Sequence, residues 1–464
     1  MARPAAPPPH PVRLLVEQLG PRPASAVTAW LADRIGALIG EGRIPLGARL
    51  PSDRALAQAV GVTRGTAVRA LALLEERELI TSRQGSGRTV RLPRGTVAPV
   101  ESLSARSTPA QAGTLDLRAT VLPPHPQAEA AALEAVAGIG RDPSRGTAPA
   151  HGLPELLEAI CAHYDRRGLP TSPDEVTVTT GAVAGLHLAL RAVTRRGDRV
   201  AVESPCYPNT ARVARGTRRR IIPLDAGAAA EGMAEVLASG SLDAAMLTPD
   251  FHNPTGRLRD ARERGLLLEA ARLSGTPLVV DETLVGMNWR GLTMPPPMVR
   301  PGTTTLLVGS ASKSLWAGLR IGWIRAPRAL TETIGHLRLG VDLGAAVLEQ
   351  RITAALLPQG PDPQILAEVA AQHEALRAGL ARHLPHWSAP AADGGLSLWC
   401  TGLRRPSPEL VARAAARGLA LTPGGLFSPT GRGGDDAIRL PFSAPADRIG
   451  RALEILGEIE SDQA

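Results

Sequence analysis

Hydrophobic positions along the chain change period several times, and those changes divide it. Over residues 25–40, Val27, Leu31, Ile35 and Leu38 recur at helical spacing, which predicts a helix capped by Ser25 and ending near residues 40–42. A second short helix is predicted after Ser52 as N-cap, with Leu56 and Val60 facing inward and Gly61 ending it. Thr63 then caps a third, with Val68, Leu71 and Leu74 on its buried side. At residues 80–82 and 88–91 the period drops to two, predicting two strands joined by the turn Arg83-Gln84-Gly85-Ser86-Gly87. Three short helices and a glycine-tipped hairpin describe a winged helix-turn-helix over residues 25–91. Residues 1–24 are proline-rich around one apolar patch, residues 12–19, and read as an extended arm. Residues 92–114 show no apolar period and read as a linker.

From Leu115 onward, helical stretches alternate with short apolar or β-branched runs at 176–180, 199–202, 244–248, 278–280 and 305–308. Residues suited to ligand contact follow each run: Gly181, Glu203 and Ser204, Asn253, Asp281 and Ser310. Such placement predicts an α/β fold with a mainly parallel sheet and a crevice along the carboxyl ends of its strands. Beyond residue 358 the pattern shifts to amphipathic helices with a few strands. Residues 115–358 are therefore assigned to a large domain and 359–464 to a smaller α+β subdomain.

Composition adds less. A length of 464 residues suits two or three domains. The formal charge of +8 favours a polyanionic partner only if the charge is clustered. Cys161, Cys206 and Cys400 lie far apart in no metal-ligand spacing, so neither a metal site nor a disulfide framework is expected. Without a signal-type segment or a long apolar run, the chain reads as soluble, cytoplasmic and without a membrane partner.

One residue stands apart. Lys313 is the single lysine, every other member of the 52 basic residues being arginine. A guanidinium stays protonated, whereas an amine can lose its proton and form a Schiff base with a carbonyl. Ser310, Ser312 and Arg320 surround Lys313 in sequence and could hold a phosphate, so an aldehyde cofactor carrying a phosphate fits this cluster. Pyridoxal 5'-phosphate needs more, and candidates are present. Asp281 could keep the ring nitrogen protonated, backbone N–H groups at Gly181, Ala182 and Val183 could meet the phosphate, Asn253 could donate to the phenolic oxygen, and Tyr207 could lie on the ring face. Arg439 could clamp an amino-acid carboxylate. Read alone, Asp281 is equally an ordinary strand-end carboxylate, and Arg439 a surface or salt-bridge arginine.

On the N-terminal unit, Arg54, Thr63, Arg64, Thr66 and Arg69 place donors along the second and third helices. Arg83, Gln84, Gly85, Gly87 and Arg88 do so at the wing. A small packing domain with a solvated arginine face is the alternative. The segments 42–57, 61–68 and 83–87 resemble the GntR-type winged helix, with Gly65 standing where that family usually has a side chain. Segments 253–256, 281, 310–320 and 439 occur in the order and approximate spacing of a fold-type I aminotransferase, a resemblance covering about 115–460. The fusion resembles the MocR subfamily of bacterial transcriptional regulators. That resemblance implies a PLP-binding domain forming a head-to-tail homodimer, double-stranded operator DNA as partner, and a small amino compound as effector. Two departures weaken catalysis: Thr283 and Leu284 stand where the family commonly has a tyrosine, and Thr147 where many relatives place another. The expectation is a regulator that senses an amino compound, or the cofactor itself, through the Lys313 Schiff base, with little turnover. The alternatives are a working aminotransferase with an accessory winged helix, or a protein using the fold only as a dimerisation scaffold.

Overall fold

The structure, a computed structural model, describes residues 12–44, 47–83, 87–91, 114–141, 150–216 and 218–462. Gln84, Gly85, Thr147, nearly all of the expected linker and residues 1–11 of the expected arm lie outside them.

The N-terminal unit consists of α1 (Val12–Leu19), α2 (Val27–Gly40), α3 (Asp53–Val60), α4 (Arg64–Glu76), β1 (Ile80–Arg83) and β2 (Gly87–Val90). The expected arm is in part a helix. Alone, eight residues are too few to hold a helix in water. Here Leu15 and Leu19 lie four apart on one face and join the core of α2–α4, and burial of that kind contributes about 1.5–3 kcal/mol per side chain. Ser52 and Thr63 cap α3 and α4 as expected, accepting from the N–H of Ala55 and Thr66. Ser25 does not cap α2. The position before that helix is Ala26, at φ 55°, and no side chain caps it. Val68 is 37 % exposed, because α4 turns Ala67, Ala70, Leu71 and Leu74 inward instead. The wing strands pair antiparallel, Ile80 opposite Val90.

The rest of the chain contributes β3 (Leu115–Asp116), β4 (Val176–Thr179), β5 (Arg199–Ser204), β6 (Arg220–Asp225), β7 (Ala244–Leu247), β8 (Leu278–Asp281), β9 (Thr305–Ser310), β10 (Gly322–Arg325), β11 (Ser397–Thr401), β12 (Leu419–Ala420) and β13 (Ala437–Pro441). Seven form one sheet in the order β4-β10-β9-β8-β7-β5-β6. All neighbouring pairs are parallel except those of β10, which runs against both β4 and β9. Helices cover both faces. Ala245, Leu278 and Val280 point into one core, while Met246, Val279 and Val308 point into the other. Burial on both faces is why these strands read as continuous apolar runs rather than alternating ones. β6 and β10 escaped the sequence reading: β6 carries Pro223 within it and begins and ends on charged residues, and β10 is four residues that open on glycine and close on arginine.

β11 and β13 pair antiparallel in the smaller subdomain, whose core is separate. The division at residue 115 needs correction. Leu115–Asp116 pairs in parallel with β12, and Leu117 packs into the small-subdomain core. All three cysteines are free and buried, and burial pushes the Cys206 and Cys400 thiols up to about 12. Among the described residues no helix is long and apolar enough to cross a membrane.

The winged helix docks on the small subdomain through the end of α2. Thr430 Oγ1 donates to the Gly40 carbonyl at 3.0 Å, satisfying one of the acceptors that a helix end leaves unpaired. Gly434 N–H donates to Glu41 Oε1 at 3.0 Å, and Arg34 pairs with Asp436 at 3.3 Å. Burial, and secondly the charge of Asp436, raises the Glu41 carboxyl to about 7, against the Gly434 N–H and the charges of Arg43 and Arg34. A carboxyl raised by docking binds more protons docked than free. Docking is therefore favoured below the ordinary value of 4.5 and weakens as pH rises through about 7. We expect the thermal stability of the N-terminal unit in the full chain to fall between about pH 5 and about pH 8. Glu41→Gln should flatten this slope, and an unchanged slope in the variant would assign the effect to other groups.

Candidate functional site

The carboxyl ends of β8 and β9 meet the start of β10 at one cavity of about 370 Å³. Antiparallel β10 is what assembles it. Gly322 is registered between Ser310 and Thr179, so the loop before β10 runs back over the same sheet edge as the loops after β4 and β9. A Cβ at Gly322 would stand 2.7 Å from the Ala182 nitrogen, so only glycine allows this approach. Arg320 thus comes beside the loop that starts the helix Ala182–Val193, and Lys313 comes to the cavity from the loop after β9.

Lys313 Nζ donates to the Thr120 carbonyl at 2.6 Å and lies 3.2 Å from Thr120 Oγ1. Asp281, ending β8, is 7 % exposed and accepts from the Thr283 N–H at 2.9 Å. Burial raises its carboxyl above the usual range, opposed by the Thr283 hydrogen bonds. The next residue, Glu282, turns the other way into a buried cluster with Arg167 (2.8 Å) and Tyr164 Oη (2.9 Å). Tyr164, the second of the two tyrosines, is thereby committed to the core. Tyr207 immediately precedes the helix Pro208–Arg215, and its hydroxyl accepts from Asn209 Nδ2 at 2.7 Å.

Arg439, on β13, is 2 % exposed and stacks 5.1 Å over Phe427. It donates to the Arg118 carbonyl, yet its Nε has no hydrogen-bond partner among the described residues. Burial lowers its pKa to about 10, partly offset by Tyr207. A buried guanidinium with an unmatched donor suits a carboxylate.

The cavity gathers Lys313, Asp281, Asn253, Tyr207, Ser310, Ser312, Arg320, Arg439, Ala182 and Val183, residues spread over more than half of the chain. Gly181 does not line it, but lies behind Arg320 at φ 103°. Sequence reasoning missed Arg118, Thr120, Asn209, Thr248 and Ser397, which also line it. Arg118 and Thr120 arrive through β3, a strand of two residues without a motif. Asn209, two residues beyond Tyr207, was the one that local spacing could have flagged.

The residues fit pyridoxal 5'-phosphate on several counts. Asp281 is desolvated and suits a ring N–H. Asn253 Oδ1 is buried without a hydrogen-bond partner among the described residues, which suits an amide that meets a polar group of a ligand. Arg320 and the backbone at Ala182 and Val183 form one polar end, and Arg439 stands apart for an acid group.

On the winged helix, Arg54, Thr63, Arg64 and Arg69 are exposed and Thr66 is half-buried. The Thr63 and Thr66 hydroxyls bond each other at 2.9 Å. Arg88 differs from expectation. It is half-buried in an ion pair with Asp53, tying the wing to the start of α3 rather than standing free for a phosphate. Gly87 adopts φ 78° at the turn, while Arg83 ends β1.

Comparison with known proteins settles the family. The profile described as aminotransferase class I and II matches residues 118–455. The chain belongs to that family. The profile of bacterial regulatory proteins of the gntR family matches residues 28–90, so this class I and II aminotransferase domain is fused to a GntR-type DNA-binding domain, the MocR-type arrangement. Among curated relatives, the pyridoxine biosynthesis regulator PdxR of Corynebacterium glutamicum is 28% identical over 87% of this chain and 89% of its own. The regulator TauR of Rhodobacter capsulatus is 28% identical over 89% and 93%. Among solved structures, an aminotransferase from Mycobacterium tuberculosis superposes with TM-score 0.68 at 26% identity, covering 78% of this chain and 95% of that one.

One substitution tests the geometry of the aminotransferase site. A Cβ at Gly181 would lie 3.0 Å from Arg320 Nη2, on a backbone with φ 103° that side chains rarely adopt. Gly181→Ala should destabilise the chain by about 1–3 kcal/mol in chemical denaturation, through backbone strain. Unaltered stability would show that the loop relaxes freely.

Proposed function

We propose that this protein is an operator-binding transcriptional regulator whose aminotransferase domain binds pyridoxal 5'-phosphate and uses it to sense a small amino compound. The observation that carries this reading is the convergence of Lys313, Asp281 and Arg439 on one cavity in a chain that also bears a GntR-type winged helix. When bound, the cofactor supplies a carbonyl carbon open to amine attack and a ring that accepts electrons. Lys313 Nζ is the amine for that carbon, Asp281 holds a proton at the ring nitrogen, and Arg320 with the Ala182 and Val183 backbone binds the phosphate. Arg439 takes the effector's acid group, and Tyr207 packs against the ring.

Signalling has a direct path in this reading. The segment 428–436, which holds Glu41, Gly40 and Arg34, runs between Phe427 and β13. Arg439 lies on β13 and stacks on Phe427, so a carboxylate on Arg439 acts at both ends of the segment that holds the winged helix. A head-to-tail homodimer is supported by exposed apolar residues: Leu133, Val136 and Ile139 at one place, and Leu339, Val341 and Leu343 at another. The second group adjoins Asp342, which accepts from Thr180 Oγ1 at 3.4 Å, next to the cofactor loop.

Slow chemistry is expected. Thr283 spends its N–H and hydroxyl on Asp281 and offers no phenol, and Leu284 offers none either. A missing positioning hydrogen bond costs about 1–3 kcal/mol, or one to two decades of rate.

Purified protein should show a near-visible absorption band that Lys313→Ala and Lys313→Arg both abolish. A covalent cofactor adduct in either variant would refute the assignment of Lys313. Arg64→Ala and Arg69→Ala should each weaken operator binding by about 1–3 kcal/mol, and affinity should fall steeply with salt. Unchanged affinity in both variants would remove α4 from the interface. Amino compounds should shift the band and alter operator affinity while keto acid forms slowly. Turnover above about 1 s⁻¹ without any effect on DNA would instead make the protein a working aminotransferase.

A further inference from the structure

Charge bookkeeping within the cavity narrows the effector beyond "amino compound". Among the described residues, four cationic residues line it: Arg118, Lys313, Arg320 and Arg439. The proposed function assigns Lys313 to the cofactor carbon, Arg320 to its phosphate, and Arg439 to one acid group. Arg118 is the remaining cation, and Asp116 occupies it. Asp116 Oδ1 accepts from the Arg118 backbone N–H at 3.0 Å and from Nε at 2.9 Å, while Oδ2 accepts from Nη2 at 2.8 Å. Three bonds within a span of three residues form a local chelate with little ordering cost. The frame around it is fixed as well. Asp116 pairs across to Ala420 in β12, and the Arg118 carbonyl accepts from Arg439. Arg118 therefore serves Arg439 through its backbone while its guanidinium, about a quarter open to solvent, is held by Asp116 through Nε and Nη2.

The other lining residues offer no further ionic partner. Asp281 is the one acidic side chain of the cavity wall among the described residues, and it belongs to the ring nitrogen. Val121, Leu284 and Leu396 supply apolar wall. A second carboxylate on the effector would meet a guanidinium already held by Asp116, and a second ammonium would find no acidic side chain beyond Asp281 among the described lining residues.

We infer that the effector is an amino acid with a single acid group and an uncharged remainder, and that Asp116 enforces this limit by holding the Arg118 guanidinium away from a second acid. The inference rests on the proposed sensing function and adds Asp116 and Arg118 to it as specificity-determining residues. Removing the Asp116 charge at nearly constant size would turn Arg118 into a receptor for that second acid.

The test titrates the cofactor absorption band of the full-length, cofactor-loaded protein with alanine, valine, aspartate, glutamate and putrescine. For the wild type, alanine or valine should act at concentrations at least about tenfold below those of aspartate, glutamate or putrescine. In Asp116→Asn, the ratio of glutamate or aspartate affinity to alanine affinity should rise about tenfold or more. The double variant Asp116→Asn with Arg118→Gln should cancel the rise. A merely structural role of Asp116 would alter all ligands alike and leave the ratio unmoved. Equal response to mono- and dicarboxylic amino acids in the wild type overturns the inference without any variant, and so does a fixed ratio in Asp116→Asn. A band that depends on Lys313 yet responds to no amino compound defeats the sensing function itself, and the inference with it.

Discussion

The site depends on one packing constraint: β10 runs antiparallel between two strands that point the other way, with Gly322 at the register of Ser310 and Thr179. The absence of a side chain at that glycine lets three loops meet, carrying Lys313, Arg320 and the start of the helix Ala182–Val193. Most of the sheet follows the rule that ligands sit at the carboxyl ends of parallel strands. β10 obeys it by contributing its beginning instead. A wholly parallel sheet would have sent Arg320 to the opposite edge.

Around that frame the protein keeps ions that its own contacts only partly satisfy. Asp281 and Arg439 are both nearly buried, and burial pushes each towards its neutral form. Desolvation of this kind is costly unless a partner completes the hydrogen bonding. A ligand that supplies a ring N–H to one and a carboxylate to the other recovers part of that cost, and binding of that kind stabilises the fold by mass action. Poor self-satisfaction at these two positions is thus what the proposed recognition draws on. By contrast, Glu282, one residue from Asp281, is paired internally with Arg167 and Tyr164, and it anchors the strand end from behind.

The same small subdomain carries Arg439, proposed to take an acid group, and the docking face of the winged helix. Phe427 and Arg439 frame the segment whose backbone and side chains hold the end of α2. Packed segments of this kind transmit displacement because they have few alternative arrangements. In the proposed function, loop 428–436 is where reading an effector and holding a DNA-binding unit become one mechanical problem.

Much of this was legible in the residues. The solitary Lys313, the polar residues after each apolar run, and the Ser52 and Thr63 caps act locally or through period, so pattern alone located them. What pattern could not locate came from distant chain. Val12–Leu19 is too short to be helical without the core that receives Leu15 and Leu19. Thr120 and Arg118 reach the cavity because a two-residue strand pairs with β12, about 300 positions along the chain, and such pairing leaves no periodic trace. Arg88 carries the charge that a DNA contact needs, but its ion pair with Asp53 is a fact of proximity. Sequence thus determined which chemical groups were available and the order of the elements. Tertiary structure decided which charges are already neutralised and which remain to bind, because neutralisation depends on distance and burial, and both are set by the folded chain.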